Sequence, residues 1–95
     1  MNIEKSKDYQ RTFKRITKRH ILTKETIESA IELFISDSSN HTLHFKKIQC
    51  KHDKNRHSMR IPNTQYRILI SMDENVAVLQ CICDHDDYDM RNRRC

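Results

Sequence analysis

The sequence predicts an α+β fold in which a two-helix hairpin packs on a small twisted, mostly antiparallel sheet of four to five strands. The first forty residues carry apolar side chains at helical spacing. The remainder holds short apolar segments in which side chains alternate, separated by turn residues. With 95 residues, 36% of them apolar and none of them Trp, we expect one domain over 1–95 with a modest core.

Two helices are predicted after a short strand near the N-terminus. Tyr9, Phe13 and Ile16 form a narrow apolar stripe along a first helix expected from Lys7 onward. Thr23 is suited to cap a second helix, because its hydroxyl can accept a hydrogen bond from a free backbone N–H. The apolar face of that second helix follows the helical template at five positions: Ile27, Ala30, Ile31, Phe34 and Ile35.

Strands are expected near 42–48, 57–61, 66–72 and 75–84. The last two carry apolar residues on both faces, which indicates that they are central. Strict alternation over the last strand predicts two faces, Val76, Val78, Gln80 and Ile82 against Ala77, Leu79, Cys81 and Cys83. The residues after Tyr88 show no periodicity, so no regular element is expected there.

The charge is basic and unevenly distributed. Lys and Arg outnumber Asp and Glu by 18 to 13, for a net charge of +5. Residues 1–20 hold seven basic and two acidic side chains, and residues 46–60 hold six basic and one acidic. Patches of this density favour a polyanionic partner, although a solvated basic surface is the alternative.

The targeting and cysteine patterns indicate a cytoplasmic protein. The N-terminus is charged and lacks the apolar segment of a secretory signal, and no stretch approaches the roughly 20 apolar residues of a membrane span. We therefore expect the four cysteines, at positions 50, 81, 83 and 95, to be reduced.

Four segments, in their order along the chain, resemble the RelE/ParE superfamily of small bacterial toxins. They are Met1–Ile16, Leu43-His-Phe-Lys-Lys-Ile48, Ser58-Met-Arg-Ile61 with Tyr66-Arg-Ile-Leu-Ile70, and Asp73–Leu79 with His85-Asp-Asp-Tyr88. The details are most similar to messenger-RNA interferases of the YafQ and YoeB type. One departure is a basic stretch over 51–56 where the family usually has a Gly.

The resemblance implies a ribosome-dependent endoribonuclease that cleaves messenger RNA by attack of a 2′-OH on the neighbouring phosphate. It implies no cofactor, no metal and no membrane partner. The implied partners are the ribosome, through A-site messenger RNA and ribosomal RNA, and a cognate antitoxin that neutralises the toxin in a hetero-oligomer.

Five residues are candidates for catalysis. A metal-free ribonuclease needs a base, a cation and an acid, and histidine titrates near neutrality. His85 matches the family's C-terminal catalytic histidine. Arg67 matches an arginine that contacts the scissile phosphate, and Arg60 is placed to share its face. His44 and Lys46 alternate on the first long strand, so either is a candidate for the base or a phosphate contact.

Further residues are candidates for RNA binding. Tyr88 is expected either to stack on a base or to close the core. Backbone phosphates reward dense basic side chains without sequence reading, and the candidates for this are Lys14, Arg15, Lys18, Lys51, Lys54 and Arg56. Cys81, Cys83 and His85 are spaced too closely for a usual zinc site, so the two thiols are expected to line the core.

Two other functions are compatible with the sequence. A ParE-like toxin on the same fold inhibits DNA gyrase by contact and cuts nothing. A noncatalytic RNA-binding module is also compatible with the charge, but the chain lacks a GXXG loop and paired sheet aromatics. The nuclease is favoured by the combination of histidines and arginines, since a contact inhibitor needs no proton donor.

Overall fold

The computed structural model describes residues 1–94 and contains three α-helices and five strands within them. In chain order these are β1 (Asn2–Lys5), α1 (Lys7–Lys18), α2 (Lys24–Ser36), a 3₁₀ turn (His41–Leu43), β2 (Lys46–Lys47), β3 (Arg56–Arg60), β4 (Arg67–Asp73), β5 (Val76–Cys83) and α3 (His85–Arg94). Within the described residues, no helix is both long enough and apolar enough to cross a bilayer.

The five strands form one mixed sheet in the order β1-β5-β4-β3-β2. β1 pairs with β5 in parallel, and the other three pairings are antiparallel. The α+β class is therefore confirmed. The prediction that the last two strands are interior is also confirmed, because β4 and β5 each have a neighbour on both sides.

Helices α1 and α2 cover one face of the sheet. The hydroxyls of Ser6 and Thr23 cap them by accepting hydrogen bonds from the backbone N–H groups of Tyr9 and Thr26. The main core lies between this layer and the sheet, and it includes Tyr9, Ile16, Ile27, Ala30, Phe34, Met59, Ile61, Ile68, Ile70, Ala77, Leu79 and Ile82. The opposite face, hereafter the open face, carries the polar side chains that alternate with these.

A smaller core lies on the open face under α3. It consists of Leu69, Cys81, Cys83 and Tyr88, with Ile48 packed against them. Helix α3 was not predicted, and the prediction that His85 ends the last strand is wrong because His85 is the first residue of α3. Helix α3 is stabilised at both ends by polar and charged side chains. At its N-terminus Asp84 Oδ1 accepts a hydrogen bond from the Asp87 N–H, and basic residues fill its last turn.

Strand β5 contains a bulge that contradicts the predicted strict alternation. Leu69 pairs with Cys81 and Ile70 pairs with Leu79, so Gln80 is an extra residue. Leu79 consequently faces the helices whereas Cys81 faces α3, although alternation placed both on one side.

Two side chains, one from helix α1 and one from its N-cap, form hydrogen bonds with the backbone at the bulge. The Ser6 hydroxyl donates to the Gln80 carbonyl oxygen at 2.8 Å, and the Ile82 N–H donates to Thr12 Oγ1 at 3.0 Å. Thr12 is only 2% exposed, so water has no access to replace this bond. These contacts satisfy backbone groups at the irregular part of the strand.

The strand expected over 42–48 is mostly absent. The Asn40 side chain caps the 3₁₀ turn by accepting from the Thr42 N–H, and His44 follows with φ at 46°, in the left-handed region. A residue in this conformation cannot continue an extended strand, so pairing is confined to Lys46 and Lys47.

The expectation that the cysteines are all reduced is contradicted at Cys50. Cys81 and Cys83 are free and buried, as expected for core-lining thiols. Cys50 is disulfide-bonded. Cys95 lies outside the described residues.

We predict that Thr12→Val lowers the free energy of unfolding by about 1–3 kcal/mol, because it leaves the buried Ile82 N–H without an acceptor while preserving side-chain volume. Urea unfolding measures the loss. The control is Thr17→Val, because the Thr17 hydroxyl bonds only to carbonyl oxygens of its own helix. Equal losses in the two variants would contradict a specific role for Thr12.

Candidate active site

Four of the five predicted catalytic residues meet in one cavity on the open face. The cavity has a volume of about 210 Å³ and is lined by His44, Lys46, Ser58, Arg60 and Arg67. We call it the cationic pocket. Among the residues that the structure describes, no carboxylate lines it.

Strand pairing brings these side chains together. Lys46 pairs with Ser58 across β2 and β3, and Arg60 pairs with Arg67 across β3 and β4. Since alternate residues of a strand share a face, Ser58 and Arg60 both lie on the open face. His44 reaches the pocket from the left-handed turn that precedes β2.

Arg60 and Arg67 place two like charges opposite each other. Such a cross-strand pair is destabilising unless an anion offsets it. Within residues 1–94, neither guanidinium makes an ion pair with a carboxylate. The buried Nε–H of Arg60 also makes no hydrogen bond with the described residues. The pocket thus concentrates unneutralised positive charge and free donors, which suits it to a phosphate group.

Tyr88 supports the pocket from the side of α3. It is 5% exposed, and the Arg67 guanidinium carbon lies 4.5 Å from its ring centroid. Its hydroxyl is 3.2 Å from Ser58 Oγ. This ring holds Arg67 and has little free area, so stacking on an RNA base stays a prediction with small support from the geometry.

The pKa of the Tyr88 hydroxyl is consistent with a positive potential in the pocket. Burial raises the pKa of its hydroxyl, but hydrogen bonds with Ser58, Asn92 and Arg67 and the charge of Lys46 outweigh burial and lower the pKa below its ordinary value. Groups that stabilise a phenolate in this way also stabilise negative charge on a bound ligand.

His85 lies outside the residues that line the pocket. Its side chain is 64% exposed, and its Nε2 is 3.4 Å from Asp89 Oδ2. Cys83, two residues earlier, pairs with Arg67. His85 therefore follows the end of β5 that lies beside Arg67, outside the residues that line the cationic pocket.

The predicted RNA-binding residues fall on separate surfaces. Lys14, Arg15 and Lys18 are exposed on α1, on the other side of the sheet from the pocket. Arg56 is engaged by Asp53, with Nε 3.1 Å from Oδ2. Lys51 and Lys54 line a different groove.

Sequence reasoning missed Ser58 and Asn92, which hold the Tyr88 hydroxyl. Ser58 is 1% exposed. The only indication of its role in the sequence was a small polar residue between His57 and Met59 on the predicted strand. Within the described part of the chain, no three His, Cys, Asp or Glu side chains are arranged to hold a metal ion.

Comparison with solved structures identifies the architecture. No protein-family model matches the sequence, and no curated protein matches it significantly. A chain of the E. coli DinJ–YafQ complex superposes with a TM-score of 0.76 at 14% identity, over 90% of this chain and 94% of that one. A chain of the RelB–RelE antitoxin–toxin complex from Methanococcus jannaschii gives 0.60 at 24% identity, over 92% and 96%.

The chain has the RelE/YoeB toxin fold. The YoeB dimer from Staphylococcus aureus also matches, with a TM-score of 0.59 at 21% identity over 90% of this chain and 95% of that one. The resemblance that the four sequence segments indicated is thereby confirmed in the fold. In this RelE-type fold, the cationic pocket lies on the sheet face that α1 and α2 leave open.

We predict that inorganic phosphate raises the Tm of the protein by binding the cationic pocket. For one site, phosphate at 100 times its Kd stabilises the folded state by about 2.7 kcal/mol. Arg60→Gln should remove this increase, and without phosphate it should raise the Tm because it relieves the like-charge pair.

The matched control is Lys24→Gln, a change of the same charge on the exposed surface of α2, measured by the same calorimetry. A phosphate-dependent shift of equal size in Arg60→Gln and the control would show that phosphate acts elsewhere.

Proposed function

We propose that this chain is the toxin of a type II toxin–antitoxin system and a ribosome-dependent messenger-RNA endoribonuclease. The observation that carries the proposal is the pocket in which Lys46, Arg60 and Arg67 surround a phosphate-sized space with His44 beside them and no carboxylate of residues 1–94 among its lining. Its position on a RelE-type fold supports the same reaction class.

The arginines act on the phosphate. Their guanidinium forks can each donate two hydrogen bonds to the nonbridging oxygens, and they keep their charge throughout the reaction. Lys46 adds a third cation to the charge that develops on the phosphate as the 2′-oxygen attacks. Tyr88 fixes Arg67 in place, so little reorganisation is needed at the transition state.

The two histidines divide the proton transfers. His44 lines the pocket and takes the proton from the attacking 2′-OH. The 2′-oxygen bonds to phosphorus, the bond from phosphorus to the 5′-oxygen breaks, and His85 donates a proton to that oxygen. The products are a 2′,3′-cyclic phosphate and a 5′-hydroxyl, and no metal takes part.

The size of the pocket supports dependence on the ribosome. A cavity of about 210 Å³ accommodates a phosphate and its immediate neighbours but encloses little of an RNA strand. The exposed Lys14, Arg15 and Lys18 lie on the opposite layer and suit contacts with ribosomal RNA phosphates. The ribosome then positions A-site messenger RNA, and the toxin acts in the cytoplasm.

The partner that restrains the toxin is a cognate antitoxin. Two of the similar solved structures, DinJ–YafQ and RelB–RelE, are toxin–antitoxin complexes. On this chain Ile3, Ile31 and Ile35 line an open groove beside edge strand β1 together with Lys5, Glu28 and Glu32, and Ile35 is 47% exposed. Isoleucines flanked by charged side chains suit an amphipathic antitoxin segment in a hetero-oligomer.

We predict that expression of the chain arrests growth and cuts translated messages, as mapped by primer extension. Arg60→Gln should lower cleavage by about 10²–10³-fold, the usual effect of removing one donor that stabilises a transition state. Lys24→Gln should leave cleavage unchanged. Intact messages together with loss of topoisomerase activity would instead assign a ParE-like inhibitor of DNA gyrase.

We predict that His44→Asn and His85→Gln each lower single-turnover cleavage by about 10²–10⁴-fold, the usual contribution of a positioned acid or base. Asn is chosen at position 44 because it tolerates the left-handed backbone that this residue adopts. Each variant should lose a different limb of the pH–rate profile. A variant that retains the full profile and rate carries no proton transfer.

A further inference from the structure

A second and larger cationic surface adjoins the pocket. This loop groove has a volume of about 810 Å³ and is lined by Lys47, Ile48, Gln49, Cys50, Lys51, Lys54 and Asn92. Three lysines contribute to it, and among the described residues no carboxylate does. Its only aliphatic lining residue is Ile48, whose side chain packs against the small core under α3.

The groove is built on a loop that is fastened to the sheet. Asp53 Oδ2 accepts hydrogen bonds from Arg56 Nε at 3.1 Å and from the Ser71 hydroxyl of β4, and Oδ1 accepts from the Asn55 N–H at 3.0 Å. Gln80 Nε2, at the bulge of β5, donates to Ser71 Oγ at 3.0 Å.

These contacts direct the only acid of the loop away from its lysines. Burial raises the pKa of Asp53, but the hydrogen bonds from Ser71, Arg56 and Asn55 outweigh burial and hold the pKa below its ordinary value. The carboxylate is thus ionised and engaged with the sheet. Within residues 1–94, Lys51 and Lys54 make no ion pair, so their charges are available to a ligand.

The groove and the cationic pocket are neighbours along β2, although they share no lining residue among those described. Lys46 lines the pocket and the next residue, Lys47, lines the groove. On the other side, Asn92 lines the groove close to Tyr88, whose ring carries Arg67. The two cationic surfaces therefore lie on neighbouring parts of β2 and α3.

We propose that the loop groove is a second subsite, which binds backbone phosphates of a single RNA strand that continues from the phosphate held in the pocket. The proposal rests on the proposed nuclease function and defines its substrate class as an extended strand, not a dinucleotide. Lysines without an aromatic platform contact phosphates regardless of base, so the subsite contributes affinity and register but no sequence preference.

An RNA strand fits the groove better than an acidic segment of a protein partner. A protein segment gains most of its affinity from buried apolar and aromatic anchors. No aromatic side chain of the described residues lines the groove, whereas its three lysines suit repeated backbone phosphates.

The test compares two lengths of uncleavable RNA, a trinucleotide and a decanucleotide, each with 2′-O-methyl ribose at every position that could attack. Binding is followed by fluorescence anisotropy at low ionic strength. The double variant Lys51→Gln/Lys54→Gln should bind the decanucleotide about tenfold more weakly and the trinucleotide unchanged. Its salt slope for the long strand should fall by about 1.4, from roughly 0.7 per lost phosphate contact.

Other variants separate the subsite from the pocket. Arg60→Gln should weaken both lengths, and Lys24→Gln should weaken neither. The readout does not depend on cleavage, so length-dependent binding would stand even if no message were cut. Equal effects of the double lysine variant on both lengths, or none on either, would overturn the subsite. Loop-dependent binding of polyglutamate with unchanged RNA binding would assign the groove to an acidic protein.

Asp53→Asn tests whether the carboxylate positions the loop, because the loss of charge and the loss of positioning should change RNA affinity in opposite directions. Removing a negative charge from a basic loop should by itself tighten RNA binding. If Asp53 positions the loop lysines, the variant should instead lose affinity for the decanucleotide and keep its affinity for the trinucleotide. Tighter binding of the long strand by a folded Asp53→Asn protein would contradict the positioning role.

Discussion

The bulge at Gln80 determines how the two faces of the sheet are used. Without the extra residue, Cys81 and Cys83 would follow Leu79 toward the helices, and the small core under α3 would lose two of its members. The N–H of Ile82 and the carbonyl of Gln80 would not be satisfied by the partner strand alone, so α1 contributes Thr12 and Ser6 to them. The placement of α3, and with it of Tyr88 beside Arg67, depends on these hydrogen bonds.

The site concentrates charge in a way that opposes folding stability. Two arginines face each other across β3 and β4, Lys46 lies next to them, and no carboxylate of the described chain pairs with them. A chain with 36% apolar residues has a small core to offset this repulsion. Arg15 and Arg19 also make no ion pair within the described residues, but they are exposed to water, whereas Arg60 and Arg67 are partly buried and Arg60 has a buried Nε–H without a partner there.

Local patterns predicted what depends on neighbouring residues and missed what depends on tertiary contacts. The α1 and α2 stripes, the Thr23 cap and the interior position of β4 and β5 follow from spacing and composition. The bulge, the end of the strand before Lys46 and helix α3 do not, because Thr12, Asn40 and Tyr88 act there through distant or capping contacts. Four of the five predicted catalytic residues, His44, Lys46, Arg60 and Arg67, line one pocket. Strand pairing explains this for the two arginines, because Arg60 lies opposite Arg67 on one face. His85 was expected on a strand and instead begins α3, outside the residues that line the cationic pocket.

The chain contains no Gly, so residues with side chains occupy its left-handed turns, and one of them, His44, also lines the cationic pocket. Among residues 1–94, four adopt positive φ, namely His20, His44, Asn63 and Glu74, and each would be less strained as Gly. A left-handed backbone alone does not indicate function, because His20, Asn63 and Glu74 share it and do not line the cationic pocket. Among the residues that line the pocket, His44 has this conformation. At that position the turn serves the site directly. It ends the 3₁₀ segment, starts the short strand that carries Lys46, and points an imidazole at the two arginines. A Gly there would relieve the backbone and remove the imidazole, so strain of about 1–2 kcal/mol is retained at a position whose side chain lines the cationic pocket.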